Sequence, residues 1–208
     1  MKAIPILAIS LSAAFGLTGL STAQAATVSK SFSGNDCSGY FGRGFDSCTI
    51  FVEHEGENID LAHVVAKFNG GLSLSEANDE LFPNITGDEF SFSDDVAENK
   101  TGTWTYTAGT DDPGIRYWTA KAGNGFTLFW DVADSALDTG GVCDVDDVYT
   151  FACLDAAQFL TSNSWATPRN KELSHITFYG TTAVPVPAAI WLLGSALGGL
   201  GFMRRRSK

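Results

Sequence analysis

Thr103-Trp104-Thr105-Tyr106-Thr107 alternates threonine with aromatic residues, and this period of two constrains the fold more than any other feature of the chain. Successive side chains of an extended strand point to opposite faces, so the two aromatics share one face and the three threonines the other. A helix would scatter them around its circumference. Phe90-Ser91-Phe92-Ser93 repeats the pattern, and runs rich in β-branched and aromatic residues at 48–52, 61–68, 115–122, 126–132 and 173–179 also read as strands. Gly123-Asn124-Gly125 predicts a tight hairpin turn in which Asn and Gly take positive φ easily, and Asp111-Asp112-Pro113-Gly114 predicts another turn. A turn or two of helix is expected at 154–160, while 72–81 has no clear period. Short strands with frequent turns predict an all-β domain, an antiparallel β-sandwich of the jelly-roll kind. Trp104, Trp118, Trp130 and Trp165 are the expected large pieces of its core.

The two ends of the chain carry a different kind of information. Lys2, the apolar stretch 4–20 and Ala23-Gln24-Ala25 have the order of a secretory signal peptide cut before Ala26. Near the other end, residues 188–203 form a run of sixteen without charge. At about 1.5 Å per residue this is a little short of the hydrocarbon core, so a tilted or thinned span is expected. Pro185 and Pro187 make its entry extended, and Arg204, Arg205, Arg206 and Lys208 place the terminus in the cytoplasm. The expected organisation is a signal peptide over 1–25, an exported domain over 26–183, and a C-terminal segment with a hydrophobic helix over 184–208.

Val184-Pro185-Val186-Pro187-Ala188-Ala189-Ile190-Trp191-Leu192-Leu193-Gly194-Ser195, a glycine-rich second half and Arg204-Arg205-Arg206 follow one another in the order of a PEP-CTERM sorting signal. The tail resembles that family's signal in its Val-Pro-x-Pro form, with Val186 where the named motif carries glutamate. The resemblance implies a Gram-negative protein exported across the inner membrane and processed by signal peptidase and by the membrane transpeptidase exosortase. It also implies delivery to the cell surface or to an exopolysaccharide matrix, with only transient residence in the inner membrane. The chain is then the substrate of that transpeptidase, so no catalytic residue is implied. More loosely, Lys121-Ala122-Gly123-Asn124-Gly125-Phe126-Thr127-Leu128-Phe129 and Leu173-Ser174-His175-Ile176-Thr177-Phe178-Tyr179-Gly180 are similar to segments of the β-sandwich ectodomains of such proteins. That likeness implies a fold and no activity.

Without its two end signals the chain keeps all 24 acids but only eight of its 13 cations, so the net charge moves from −11 to about −16. A field of that sign disfavours nucleic acid and anionic lipid as partners, and favours solubility and divalent cations. Cys37, Cys48, Cys143 and Cys153 all fall in the exported part, where an even count reads as two disulfides. Of the three connectivities, the local one, Cys37 with Cys48 and Cys143 with Cys153, is expected. No Cys-x-x-Cys knuckle or histidine at ligand spacing accompanies them.

Chemistry-bearing patterns are sparse. Glu53-His54-Glu55-Gly56-Glu57 joins an imidazole to carboxylates, but on a strand the three acids would share one face and His54 the other. His63 and His175 lie within or beside apolar strands, with no Gly-x-Ser-x-Gly elbow and no cysteine partner. Asp144, Asp146 and Asp147, beside Cys143, are candidate calcium ligands, set against a turn held by the disulfide; the EF-hand spacing is missing and no metal or cofactor is expected. With 24 acids, paired carboxylates for glycoside hydrolysis carry no positional information. Asn84-Ile85-Thr86 and Asn99-Lys100-Thr101 match glycosylation sequons by chance. Three functions follow in order: a non-catalytic surface or matrix protein, a carbohydrate-binding module stacking sugars on Tyr40, Phe41, Trp118 or Trp165, and an exported hydrolase.

Overall fold

A computed structural model describes residues 25–94 and 99–181. Residues 1–24 of the expected signal peptide and the whole tail 184–208, with its sorting motif and hydrophobic run, lie outside the described residues, while Ala25 pairs with Ala133 in the first strand. Among those described, no helix is long and apolar enough to cross a membrane.

The domain is all-β and antiparallel. Its strands are β1 (Ala25–Ser33), β2 (Thr49–His54), β3 (Glu57–Asn69), β4 (Leu74–Ala77), β5 (Phe90–Asp94), β6 (Thr101–Tyr106), β7 (Gly114–Ala122), β8 (Gly125–Ala133), β9 (Ser162–Ala166) and β10 (His175–Thr181). The large sheet runs β1-β8-β7-β10-β3-β2, and β5-β6-β9 form a small sheet. β3 is long enough to carry two partners along one edge, β2 opposite Glu57 to His63 and β4 opposite Ala66 to Phe68. Buried Asn78 fills the seam between them, its Nδ2 donating to the Val64 carbonyl at 3.0 Å and its backbone N–H to that of Val65 at 3.0 Å.

Both faces of the large sheet are covered. Val28, Ile50, Val64, Tyr117, Leu128, Trp130 and Tyr179 point to one side, under the two disulfide loops and the short helix α1 (Phe151–Asp155). Phe68, Trp118, Phe129, Ile176 and Phe178 point to the other, against Phe90, Trp104, Tyr106 and Trp165 of the small sheet. Neighbours such as Tyr117 and Trp118 therefore enter different cores. Strands buried on both faces read as nearly continuous apolar runs, whereas β6, with its threonines in solvent, shows clean alternation. All four tryptophans expected in the core are buried.

The expected strands are present with shifted ends: Leu173 and Ser174 precede β10, and Thr107 follows β6. β1, β4 and β9 are additions. β1 carries only Val28 and Phe32 as large apolar residues among serines and Lys30, so its own sequence is too polar to mark it; nine residues of pairing with β8 decide it. The helical turn sits at Phe151–Asp155, upstream of the expected 154–160, because the Thr150 hydroxyl caps it by accepting from the Cys153 N–H at 3.3 Å. The hairpin between β7 and β8 forms at Gly123 and Asn124 as expected, but only Gly123 takes a positive φ, of 56°.

Candidate functional site around Asp36

Residues 36–40 form one wide helical turn, in which the Phe41 N–H donates to the Asp36 carbonyl at 2.8 Å. Cys37 of this turn is bonded to Cys48 at the entrance of β2, while Cys143 is bonded to Cys153 in α1; in each pair the Cα atoms are 4.9 Å apart. Both bridges are local. The first holds Asp36 down on the large sheet, where period two has placed His175, Thr177 and Tyr179 of β10 on the same face as Lys121, Thr119 and Tyr117 opposite them on β7.

Asp36 is only 2% exposed, yet its carboxylate is fully engaged. Oδ2 accepts from Thr119 Oγ1 at 2.9 Å and from Thr177 Oγ1 at 2.8 Å, and Oδ1 lies 2.9 Å from His175 Nε2. Burial pushes the carboxyl up, but the hydrogen bond and charge of His175, the Thr177 hydroxyl and the Cys37 N–H together outweigh it and hold Asp36 well below the usual carboxylate range. Next along the face, the Tyr179 hydroxyl sits 3.5 Å from Cys37 Sγ and 3.6 Å from Cys48 Sγ. Burial, followed by the charge of Asp36, raises that phenol well above its ordinary value.

A cleft of roughly 310 Å³ opens beside this pair, lined by Ser38, Lys67, Glu76, Lys121, Ser174 and His175. Its cations are in use: Lys67 pairs with Glu76 at 2.8 Å, and Lys121 Nζ donates to the Gly123 carbonyl at 2.5 Å. Acid–base catalysis needs an imidazole within reach of a nucleophile or substrate proton. His175 engages Asp36 through Nε2, and among the described residues no hydroxyl or thiol hydrogen-bonds its Nδ1. What this geometry does is fasten the first disulfide loop to the centre of the sheet.

The other candidates are scattered. Glu55 and Gly56 are the two turn residues of the β2–β3 hairpin, with φ of 53° and 87°, so Glu53, Glu55 and Glu57 do not form the strand face the sequence suggests. His54 stacks on Phe151 at 4.4 Å, and exposed His63 lies 3.4 Å from Thr49 Oγ1. Asp144 accepts from the Gly140 N–H at 2.9 Å, whereas Asp147 accepts from Lys30 Nζ and from the Tyr149 N–H, both at 2.9 Å. Asp144 and Asp147 thus have separate partners while Asp144 and Asp146 line one open cleft, and among the described residues no group of three or more metal-ligating side chains converges. Asn99 donates its amide to the Gly70 carbonyl. Of the aromatics considered for sugar stacking, Phe41, Trp118 and Trp165 are buried and only Tyr40 is exposed.

Asp36 itself was invisible in the sequence. It sits in Asn35-Asp36-Cys37 with no motif around it, and its partners lie 83 to 141 residues away. Compared with known protein families, with characterised proteins and with solved structures, the chain matches none.

Proposed function

We propose that this is an exported, exosortase-processed protein of the Gram-negative cell surface or extracellular matrix, acting as a non-catalytic interaction domain of the β-sandwich kind. The observation that carries the reading is the order of features over 184–208: Val184-Pro185-Val186-Pro187-Ala188-Ala189, Trp191, Gly194-Ser195, then Arg204-Arg205-Arg206. Two disulfides support an oxidising, extracytoplasmic compartment, since thiols stay reduced in the cytosol.

The non-catalytic part of the proposal rests on occupancy. The buried carboxylate of Asp36 has its acceptor sites filled by Thr119, Thr177 and His175, and the four indoles among the described residues are consumed by the core. The test is expression of the full chain in a Gram-negative host with and without its exosortase. Loss of the C-terminal Arg-rich end and release from the inner membrane only when the transpeptidase is present is the expected result. Identical membrane-bound chains in both strains would overturn the reading.

A further inference from the structure

We propose that the cleft between the β7–β8 hairpin tip, the end of β1 and the 168–171 turn binds an acidic saccharide through its carboxylate. This names the partner of the surface role above and rests on that reading. The cleft has a volume of roughly 310 Å³ and is lined by Ser31, Ser33, Asn124, Pro168, Arg169 and Lys171, with the small residues of the hairpin at its floor. Among the described residues no acidic side chain lines it, although 24 acids face eight cations over residues 26–183. Charge reversal of this kind concentrates anions where the rest of the surface repels them.

Four of the other cations are held by partners, whereas Arg43, outside this cleft's lining, is exposed and shares the lack of a partner among the described residues. Lys30 is held by Asp147, Lys67 by Glu76, Lys121 by the Gly123 carbonyl, and Arg116 by the carbonyls of Asp155 and Ala157. The exposed side chains of Arg169 and Lys171 have no hydrogen bond or ion pair among the described residues. Arg169 and Asn170 also hold consecutive left-handed conformations, with φ of 54° and 55°, a state that residues with a Cβ adopt reluctantly. Buried Thr167 secures the turn, its hydroxyl donating to the Lys171 carbonyl. A strained turn that presents two unpaired cations over a hairpin tip is a device for presenting charge.

The ligand class follows from the lining. A guanidinium matches a carboxylate through two parallel hydrogen bonds, and an ammonium adds a second charge. Exposed Ser33 and Asn124 offer hydroxyl and amide groups to sugar hydroxyls, and Gly123 and Gly125 let a ligand approach the backbone closely. The cleft is partly open to solvent, which suits a residue within a polymer.

Full-length chain purified in detergent would be titrated with a galacturonate trimer, a galactose trimer and inorganic phosphate by calorimetry. The acidic trimer is expected to bind at least tenfold more tightly than either control, less so as salt rises. Arg169→Gly is expected to weaken it at least tenfold while leaving the melting temperature unchanged or higher, because glycine accepts the left-handed turn; Lys171→Gln weakens it severalfold. Equal binding of the galactose trimer, equal binding of phosphate, unaltered affinity in Arg169→Gly, or no binding of the acidic trimer would each overturn the site. Trimer binding by a chain that exosortase does not process would overturn the sorting reading alone.

Discussion

His175 Nε2 lies 2.9 Å from Asp36 Oδ1 across 139 residues of chain, joining the last strand to the first loop. Because Asp36 is held below its ordinary range, the sign of the linkage is set. An unfolded aspartate titrates near pH 3.9, so the stabilisation is fully present above that pH and is lost as pH falls through the lower folded value. Thermal stability should fall steeply below about pH 4. Asp36→Asn should lower stability by about 3 kcal/mol at pH 7 and flatten the acid limb. An acid limb unchanged in the variant would show that other carboxyls govern it.

The Cys37–Cys48 bridge and the Asp36 network hold the same turn, so their contributions should not add. The two disulfides close loops of nearly equal length, with separations of 11 and 10 residues, and chain entropy alone assigns each about 3 kcal/mol. Replacing Cys37 and Cys48 by serine should cost more than replacing Cys143 and Cys153, because freeing the first loop also exposes Asp36. A double-mutant cycle with Asp36→Asn, read by urea unfolding, should show coupling of about 1 kcal/mol or more for the first bridge and none for the second.

Trp104 ties the small sheet to the large one, its ring 5.3 Å from that of Trp118 and 5.0 Å from that of Phe178. Its indole N–H is buried without a partner among the described residues, so its contribution is packing. Trp104→Ala should destabilise by about 4 kcal/mol, whereas Trp104→Phe should retain most of the stability. Chemical unfolding followed by the fluorescence of the remaining tryptophans would measure both.

Gly180 has no room for a side chain. A Cβ there would lie 2.5 Å from the Gly114 carbonyl oxygen, at the point where the pairing of β10 with β7 shifts register. Gly180→Ala must move backbone and should cost roughly 2 kcal/mol in the same unfolding measurement, whereas Gly44→Ala, with open space around it, should cost little.

In the tail, replacement of Pro185 and Pro187 by alanine should abolish processing in an exosortase-positive strain, since it lets the hydrophobic run begin as helix through the recognition segment. Immunoblotting for a C-terminal tag would follow it, and processing at the normal rate would show that the prolines are not read.

What could be read from the sequence was whatever depends on neighbours along the chain. The threonine–aromatic alternation of β6 announced a strand with one wet face, and Gly123-Asn124 announced the hairpin. The cysteines 11 and 10 residues apart were within reach of one another, and the local connectivity is the one observed. The order of features in the two ends led to the proposal about destination.

Only the tertiary structure decided matters of distance. β1 is a strand because β8 lies beside it, and Glu55 belongs to a turn because His54 and Glu57 pair across it. Asp147 is tied to Lys30 and not to its neighbouring aspartates, and Arg169 lines a cleft with Asn124 only once the chain between them has folded. Asp36 shows the reason most directly. A buried carboxylate is tolerated only where donors surround it, and its donors Thr119, His175 and Thr177 come from strands that pair long after it in sequence. Local periodicity sets which face a side chain takes; what waits on that face is set by strand order.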